Sequence, residues 1–265
     1  MAQVKLNSGE IKDFLGHIIE NNRYLQKQGK IPVAVEVIGE AGLGKTTVIM
    51  DVAKEHNLEC IKLNMSMLDE LADLIGFPVR QFQLCKQDAS KPTIIKQTVF
   101  ETQIKEVEKK LPTGQIIKVK QKVEVPVEKE VESTLTDDCI WVDEHAVEQY
   151  TSRGYGFTGQ KRMTYCPPEW IANKTAGVIL LLDDFSRAQE RFLQATMELI
   201  SRQEYVSWSL PADSHIILSS NPDNGAYLVN SLDSAQKTRY ISIEMTWDAE
   251  KWAEWAEEQG IDSRC

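Results

Sequence analysis

The sequence predicts an α/β fold, an αβα sandwich around a mostly parallel five-stranded sheet with an inserted arm. Three observations predict it. Short apolar runs rich in β-branched residues recur at 31–38, 177–182 and 215–220. Between them stand stretches whose apolar residues repeat at helical spacing. A glycine-rich loop joins the first run to the helix after it, the order of a strand–loop–helix unit in a parallel sheet.

Residues 7–29 read as an amphipathic helix. Asn7 and Glu10 fit a capping box, Ile11, Phe14, Leu15, Ile18 and Ile19 recur at helical spacing, and Gly29 closes the segment. A buried strand follows at 31–38, then the glycine loop and a helix over about 46–56. A second strand stands at 60–63 and a second helix at 67–75. The run at 177–182 is a third buried strand, followed by a helix over 187–202 with Phe192, Leu193, Met197 and Ile200 on one face. Residues 205–210 alternate like a short strand, 215–220 form the fourth core strand and 240–245 the fifth. Asp248 caps a helix through Gln259, with Gly260 at its end.

The region 80–170 is an insertion of different character. From 117 to 127 the odd positions are Ile117, Val119, Gln121, Val123, Val125 and Val127, and the even ones Lys118, Lys120, Lys122, Glu124 and Pro126. This period of two, with the turn signal Pro112-Thr113-Gly114 upstream, reads as a hairpin or arm over about 95–135. Pro126 argues for an edge strand. A disordered Lys/Glu-rich insert is the alternative.

Composition narrows the function. The net charge of −10 opposes attraction of nucleic acid through the overall field, although a local basic strip leaves the question open. No run of about eighteen apolar residues marks a membrane span, and the N-terminal residues lack a secretory apolar stretch. Cys60, Cys85, Cys139, Cys166 and Cys265 show no C-x-x-C spacing. They read as isolated thiols of a cytoplasmic protein, with neither a zinc site nor a disulfide framework.

The chemistry is carried by Gly39-Glu40-Ala41-Gly42-Leu43-Gly44-Lys45-Thr46-Thr47, which fits G-x-x-x-x-G-K-[ST] at every fixed position. The glycines let backbone N–H groups turn inward around the phosphates of ATP, and the helix start adds partial positive charge. Lys45 reaches the β/γ-phosphates, Thr46 offers a hydroxyl to Mg²⁺, and Thr47 stands near the α-phosphate. The partner motif, Val178-Ile179-Leu180-Leu181-Leu182-Asp183-Asp184, delivers two acids from the end of a buried strand. Asp183 would hold the Mg²⁺ shell and Asp184 would orient the attacking water. Cys139-Ile140-Trp141-Val142-Asp143-Glu144 is a rival acidic pair on a shorter run. Asn221, in Ser219-Ser220-Asn221-Pro222, ends the fourth strand beside the expected γ-phosphate, or merely starts an Asn-Pro turn.

The order of a helix, GEAGLGKT, a long gap, LLLDDFSRA, a helix, a hairpin and ILSSNP resembles an AAA+ ATPase. Within that superfamily it is similar to the MoxR-like, dynein-related group, to which residues 73–78 (DLIGFP), 166–170 (CPPEW) and 183–188 (DDFSRA) are close. The resemblance covers about 10–260 except the arm. It implies an ATPase core over 1–246, the start of a helical lid over 247–265, and a homo-oligomeric ring, usually a hexamer, that remodels other macromolecules. By position, Asn221 matches the sensor-1 residue and Arg239 the arginine finger reaching into a neighbour's site. Arg187 stands where the group often has an interface arginine. Two departures stand out. The group usually has Asp-Glu where this chain has Asp183-Asp184, and most of the lid is missing, so no sensor-2 arginine is assigned. Tyr155-Gly156-Phe157 reads as a pore-gripping loop or an ordinary turn with packed aromatics.

The leading expectation is thus a Mg²⁺-dependent ATPase acting on protein complexes. One rival is a switch that holds ATP and hydrolyses it poorly, with Asp184 as the weak point. The other is a nucleic-acid motor using Lys118, Lys120 and Lys122.

Overall fold

The computed structural model describes residues 4–88, 93–110, 116–225, 227, 229–230, 234–258 and 260–261, which fall into two compact units. The first comprises Met1–Pro78 and Thr164–Cys265, the second Val79–Met163. In chain order the elements are β1 (Val4–Leu6), α1 (Ser8–Lys27), β2 (Ala34–Ile38), α2 (Lys45–Glu55), β3 (Glu59–Asn64), α3 (Leu71–Ile75) and β4 (Phe77–Gln87). They continue with β5 (Thr93–Lys110), β6 (Ile116–Ser133), β7 (Leu135–Asp143), α4 (Val147–Thr151) and β8 (Tyr155–Cys166). The rest are β9 (Val178–Asp183), α5 (Glu190–Arg202), β10 (Glu204–Tyr205), β11 (Trp208–Ser209), β12 (His215–Ser220), α6 (Ser234–Lys237), β13 (Tyr240–Met245) and α7 (Ala249–Glu258).

The first unit is built on a six-stranded sheet in the order β1-β13-β2-β12-β9-β3, with every neighbouring pair parallel. The sequence led to five strands. The sixth, β1, has three residues and exists through its pairing with β13, so it leaves no periodic signal of its own. Alternation along the central strands sorts the core into two layers. Val35, Val37, Ile179, Leu181, Ile217 and Ile243 pack with Ile11, Leu15 and Ile19 of α1 and Ile49, Val52 and Ala53 of α2. Ala34, Leu180, Leu182, Ile216 and Leu218 face Phe192, Leu193, Met197 and Ile200 of α5 and Leu74 and Ile75 of α3. Both faces are covered, so these strands read as continuous apolar runs.

Local chemistry sets the element ends. The capping box of α1 is present in both directions: Glu10 N–H donates to Asn7 Oδ1 at 3.0 Å and Asn7 N–H to Glu10 Oε2 at 2.9 Å. Helix α3 starts later than the expected position 67. Asn64 Oδ1 accepts from the N–H and hydroxyl of Ser66 at 3.1 and 2.7 Å, which stabilises a turn there instead. The strand expected at 205–210 is two residue pairs, β10 and β11, folded on each other around Val206 at φ 44°. The helix expected from 187 begins at Glu190, because Phe185–Arg187 form a 3-10 turn.

In the second unit β7, β4 and β8 form a three-stranded sheet, and β5 pairs with β6 in an antiparallel ribbon from Thr93↔Ser133 to Lys110↔Ile116. Each ribbon strand has 18 residues, and in a two-stranded ribbon both are edges, which accommodates Pro126. The turn signal at 112–114 lies outside the described residues. Tyr155, Gly156 and Phe157 belong to β8 rather than to a loop, and the Phe157 ring stands edge-on to Phe82 at 5.8 Å. Cys85 and Cys139 correct the expectation of isolated thiols. The β4–β7 register sets them opposite each other with Cα atoms 4.0 Å apart, and their sulfurs are bonded. Cys60 and Cys166 are free thiols, and Cys265 lies outside the described residues.

Candidate nucleotide site

Strand order places the site. The connection leaving β2 runs through α2 to β3 at one edge, and the connection leaving β12 runs to β13 on the other side of β2. The carboxyl ends of β2 and β12 therefore flank a topological switch point, where open α/β sheets bind ligands. The glycine loop follows β2 and is tied down at its start by Gly39 N–H donating to Ser220 O at 3.1 Å. Gly42 and Gly44 both stand at φ 84°, a left-handed conformation that costs glycine little and other residues more. Gly44 is the N-cap of α2 and supplies no side chain to it, so the first-turn N–H groups and the helix dipole face whatever the loop encloses. Ala41 N–H donates to the Tyr227 hydroxyl at 3.2 Å.

Lys45 opens α2 and is buried. Its Nζ donates to Gly39 O at 2.7 Å and Glu40 O at 2.9 Å. Burial pulls its ammonium below the ordinary lysine value, and the charges of Asp183 and Asp184 partly offset this. Thr46 is on the same first turn, and its hydroxyl lies 3.4 Å from Asp183 Oδ2.

The acids come from the end of β9. The Asp183 carboxylate is 14% exposed and meets Lys62 Nζ at 2.7 Å. Burial alone would raise its pKa, but hydrogen bonds from Lys62 and Ser219 and the Lys62 charge more than reverse this, leaving it below the ordinary carboxylate value. Asp184 is held at φ 52°, turning its side chain out of the strand alternation. Asn221 Nδ2 approaches Asp184 Oδ1 at 3.5 Å, and Arg187 stands 3.9 Å from Asp184 Oδ2. Asn221 is fixed from below by its N–H donating to Ser186 Oγ at 3.1 Å.

Lys45, Thr46, Asp183, Asp184 and Asn221 are thus brought together, while Gly39 to Thr47 wrap one side. Arg239 is elsewhere. It precedes β13, is exposed, and donates to Met197 O at 3.1 Å and Ser201 Oγ at 2.6 Å on α5. The rival pair Asp143-Glu144 ends β7 in the antiparallel sheet of the second unit, where Asp143 accepts from Gln81 at 3.1 Å.

Two charged residues escaped the sequence reading. Glu36, inside the apolar run of β2, is 5% exposed and accepts from Ser220 on β12 and Ser242 on β13, each at 2.7 Å. Its signal was a charge in a buried strand. Lys62 gave no signal, because only the β3–β9 register brings it to Asp183.

A cavity of about 510 Å³ adjoins the loop, lined by Gly42, Gly44, Thr47 and Lys12 on one side and Trp247, Trp252 and Trp255 on the other. That volume suits a drug-sized organic ligand. For a metal, Thr46 Oγ1 and Asp183 Oδ2 offer hard oxygen donors 3.4 Å apart, and among the described residues no group of three or more His, Cys, Asp or Glu forms a protein cage. Such a donor pair fits Mg²⁺, which keeps water and substrate oxygens in its shell.

No protein-family model and no curated protein matches the chain. Among solved structures it is similar to a Cytophaga hutchinsonii protein proposed to be an ATPase, with 14% identity and a TM-score of 0.47. The match covers 96% of this chain and 50% of the other, so the chain spans half that protein's length. A likeness of that depth carries no argument, and the site rests on its own residues. Among the described residues no helix is long and apolar enough to cross a membrane.

Proposed function

We propose that the chain is a Mg²⁺-dependent ATPase of the AAA+ type, of the MoxR-like group, that works in a ring of its own copies on protein complexes. The observation that carries the ATPase reading is the convergence, at one sheet edge, of a complete phosphate loop on β2, two acids on β9 and a polar sensor on β12. Loop N–H groups and the start of α2 hold the phosphates, and Lys45 moves from the loop carbonyls to the β/γ-phosphates. The cavity beside Trp247, Trp252 and Trp255 receives the nucleoside. Thr46 and Asp183 would hold Mg²⁺, which would supply neutralisation of phosphate charge there. Asp184 orients the attacking water, with Asn221 hydrogen-bonding between that water and the phosphate. Arg239, exposed beside α5, serves a neighbouring copy's site rather than its own.

A second reading, an ATP-held assembly switch with little turnover, is favoured by the long Asn221–Asp184 approach and by the shorter aspartate at the water-orienting position. The nucleic-acid reading is weakened by the ribbon register, which sets Lys118 opposite Glu108 and Lys120 opposite Glu106. The test is steady-state ATP hydrolysis with Mg²⁺ across protein concentrations, beside Lys45→Ala. A rate per subunit that climbs with concentration and vanishes in the variant supports the ring ATPase. Nucleotide binding without turnover at any concentration supports the switch.

A further inference from the structure

Lys62 lies in the edge strand β3, where the register pairs it with Leu181 and sets Asn64 beside Asp183. It therefore stands one pleat behind Asp183 on the same face of the sheet. Its ammonium reaches forward to Asp183 Oδ2 at 2.7 Å, the oxygen that also faces the Thr46 hydroxyl. That oxygen is the carboxylate atom placed to join Thr46 in holding a divalent cation. The Lys62 side chain is 45% exposed while Asp183 is 14% exposed, so the contact joins a half-exposed partner to a largely buried one. A lysine is a compact charge on a four-carbon stem and can withdraw to solvent, whereas Asp183 is held by its strand.

We propose that Lys62 is a displaceable counter-ion of the metal site: it neutralises and aims Asp183 before nucleotide arrives, and the divalent cation must drive it off to bind. This rests on the nucleotide-site reading above and deepens it. An ammonium and a divalent cation on neighbouring positions of one carboxylate repel each other strongly when water is partly excluded. Lys62 therefore sets the metal concentration at which the site loads. It also leaves Asp183 paired, and so no cost in unpaired buried charge, when the site is unloaded.

The experiment measures Mn²⁺ binding to the full chain by electron paramagnetic resonance of free Mn²⁺, in the presence of a saturating slowly hydrolysed ATP analogue. Lys62→Met keeps the stem and removes the charge. It is expected to bind Mn²⁺ about tenfold tighter than wild type, a modest share of the repulsion at such separations. Lys62→Arg keeps the charge and is expected within about twofold of wild type. Lys62→Gln gives the same readout should the Met variant melt early. Unchanged or weaker Mn²⁺ binding in the neutral variants, with wild-type binding intact, overturns the role of Lys62 and leaves the nucleotide site standing. Absence of nucleotide-dependent Mn²⁺ binding in wild type instead overturns the site reading and this inference with it.

Discussion

Replacing Asp184 by glutamate tests whether this acid orients the attacking water. Asn221 Nδ2 lies 3.5 Å from Asp184 Oδ1, outside the usual hydrogen-bond mode of about 3 Å. One more methylene lengthens the reach by about 1.5 Å. A misplacement of about 1 Å at a reacting centre is worth about 10²-fold in rate, so Asp184→Glu should raise kcat by between about 10- and 100-fold with little change in KM. A counter-effect comes with it. Position 184 stands at φ 52°, which aspartate tolerates better than glutamate. The variant should lose about 0.5–1 kcal/mol of stability, roughly 1–4 °C in Tm. The assay is saturating-ATP turnover at a protein concentration where the rate per subunit has levelled off, paired with thermal melts. A kcat that stays level or falls while the melt drops by no more than those few degrees would refute the reasoning, because Asp184 would already reach the water where it stands.

Two further outcomes concern the frame around the site. Glu36→Ala strips the acceptor from two buried-side hydroxyls on β12 and β13 and should cost about 2–4 kcal/mol in urea unfolding, with Glu36→Gln costing about 1. Equal losses in the two variants would refute the acceptor role. Acid should lower stability in two pH windows. Burial holds His215 below its ordinary value of 6.5 despite Asp213, so as pH falls below about 6.5 the unfolded state takes up a proton that the folded state refuses, and stability drops. The Arg23 partner holds Asp213 below 3.8, so its contribution is present above that value and is lost on further acidification. Melts at pH 7.5, 6.5 and 5.5 should fall for wild type and stay level over that range for His215→Gln. A wild-type melt that is flat to pH 5.5 would count against the buried neutral imidazole.

How much of this was legible depended on whether an element speaks through its own residues. Strands β9 and β12 fall where their apolar runs stand, 177–182 and 215–220, because a strand covered on both faces carries apolar residues on both. The glycine loop was legible for a related reason: its glycines and lysine stand in one short segment, which the structure places between β2 and α2. What stayed hidden depends on register between distant segments. Three-residue β1 is defined by β13, the Lys62–Asp183 pair by the offset of β3 on β9, and the Cys85–Cys139 bond by the offset of β4 on β7. The break at 204–209 was hidden because Val206 adopts a left-handed turn that its residue type disfavours.

The bond between Cys85 and Cys139 spans 54 residues and turns everything between them, the β5–β6 ribbon included, into a covalent ring. A cut anywhere within that ring opens it without releasing a fragment. A pull that spreads the two strands apart is resisted at their root by a sulfur–sulfur bond alongside the β4–β7 hydrogen bonds. The bond holds β4 and β7 together where a hairpin without it would open pair by pair, and a reductant removes that hold without cutting the backbone.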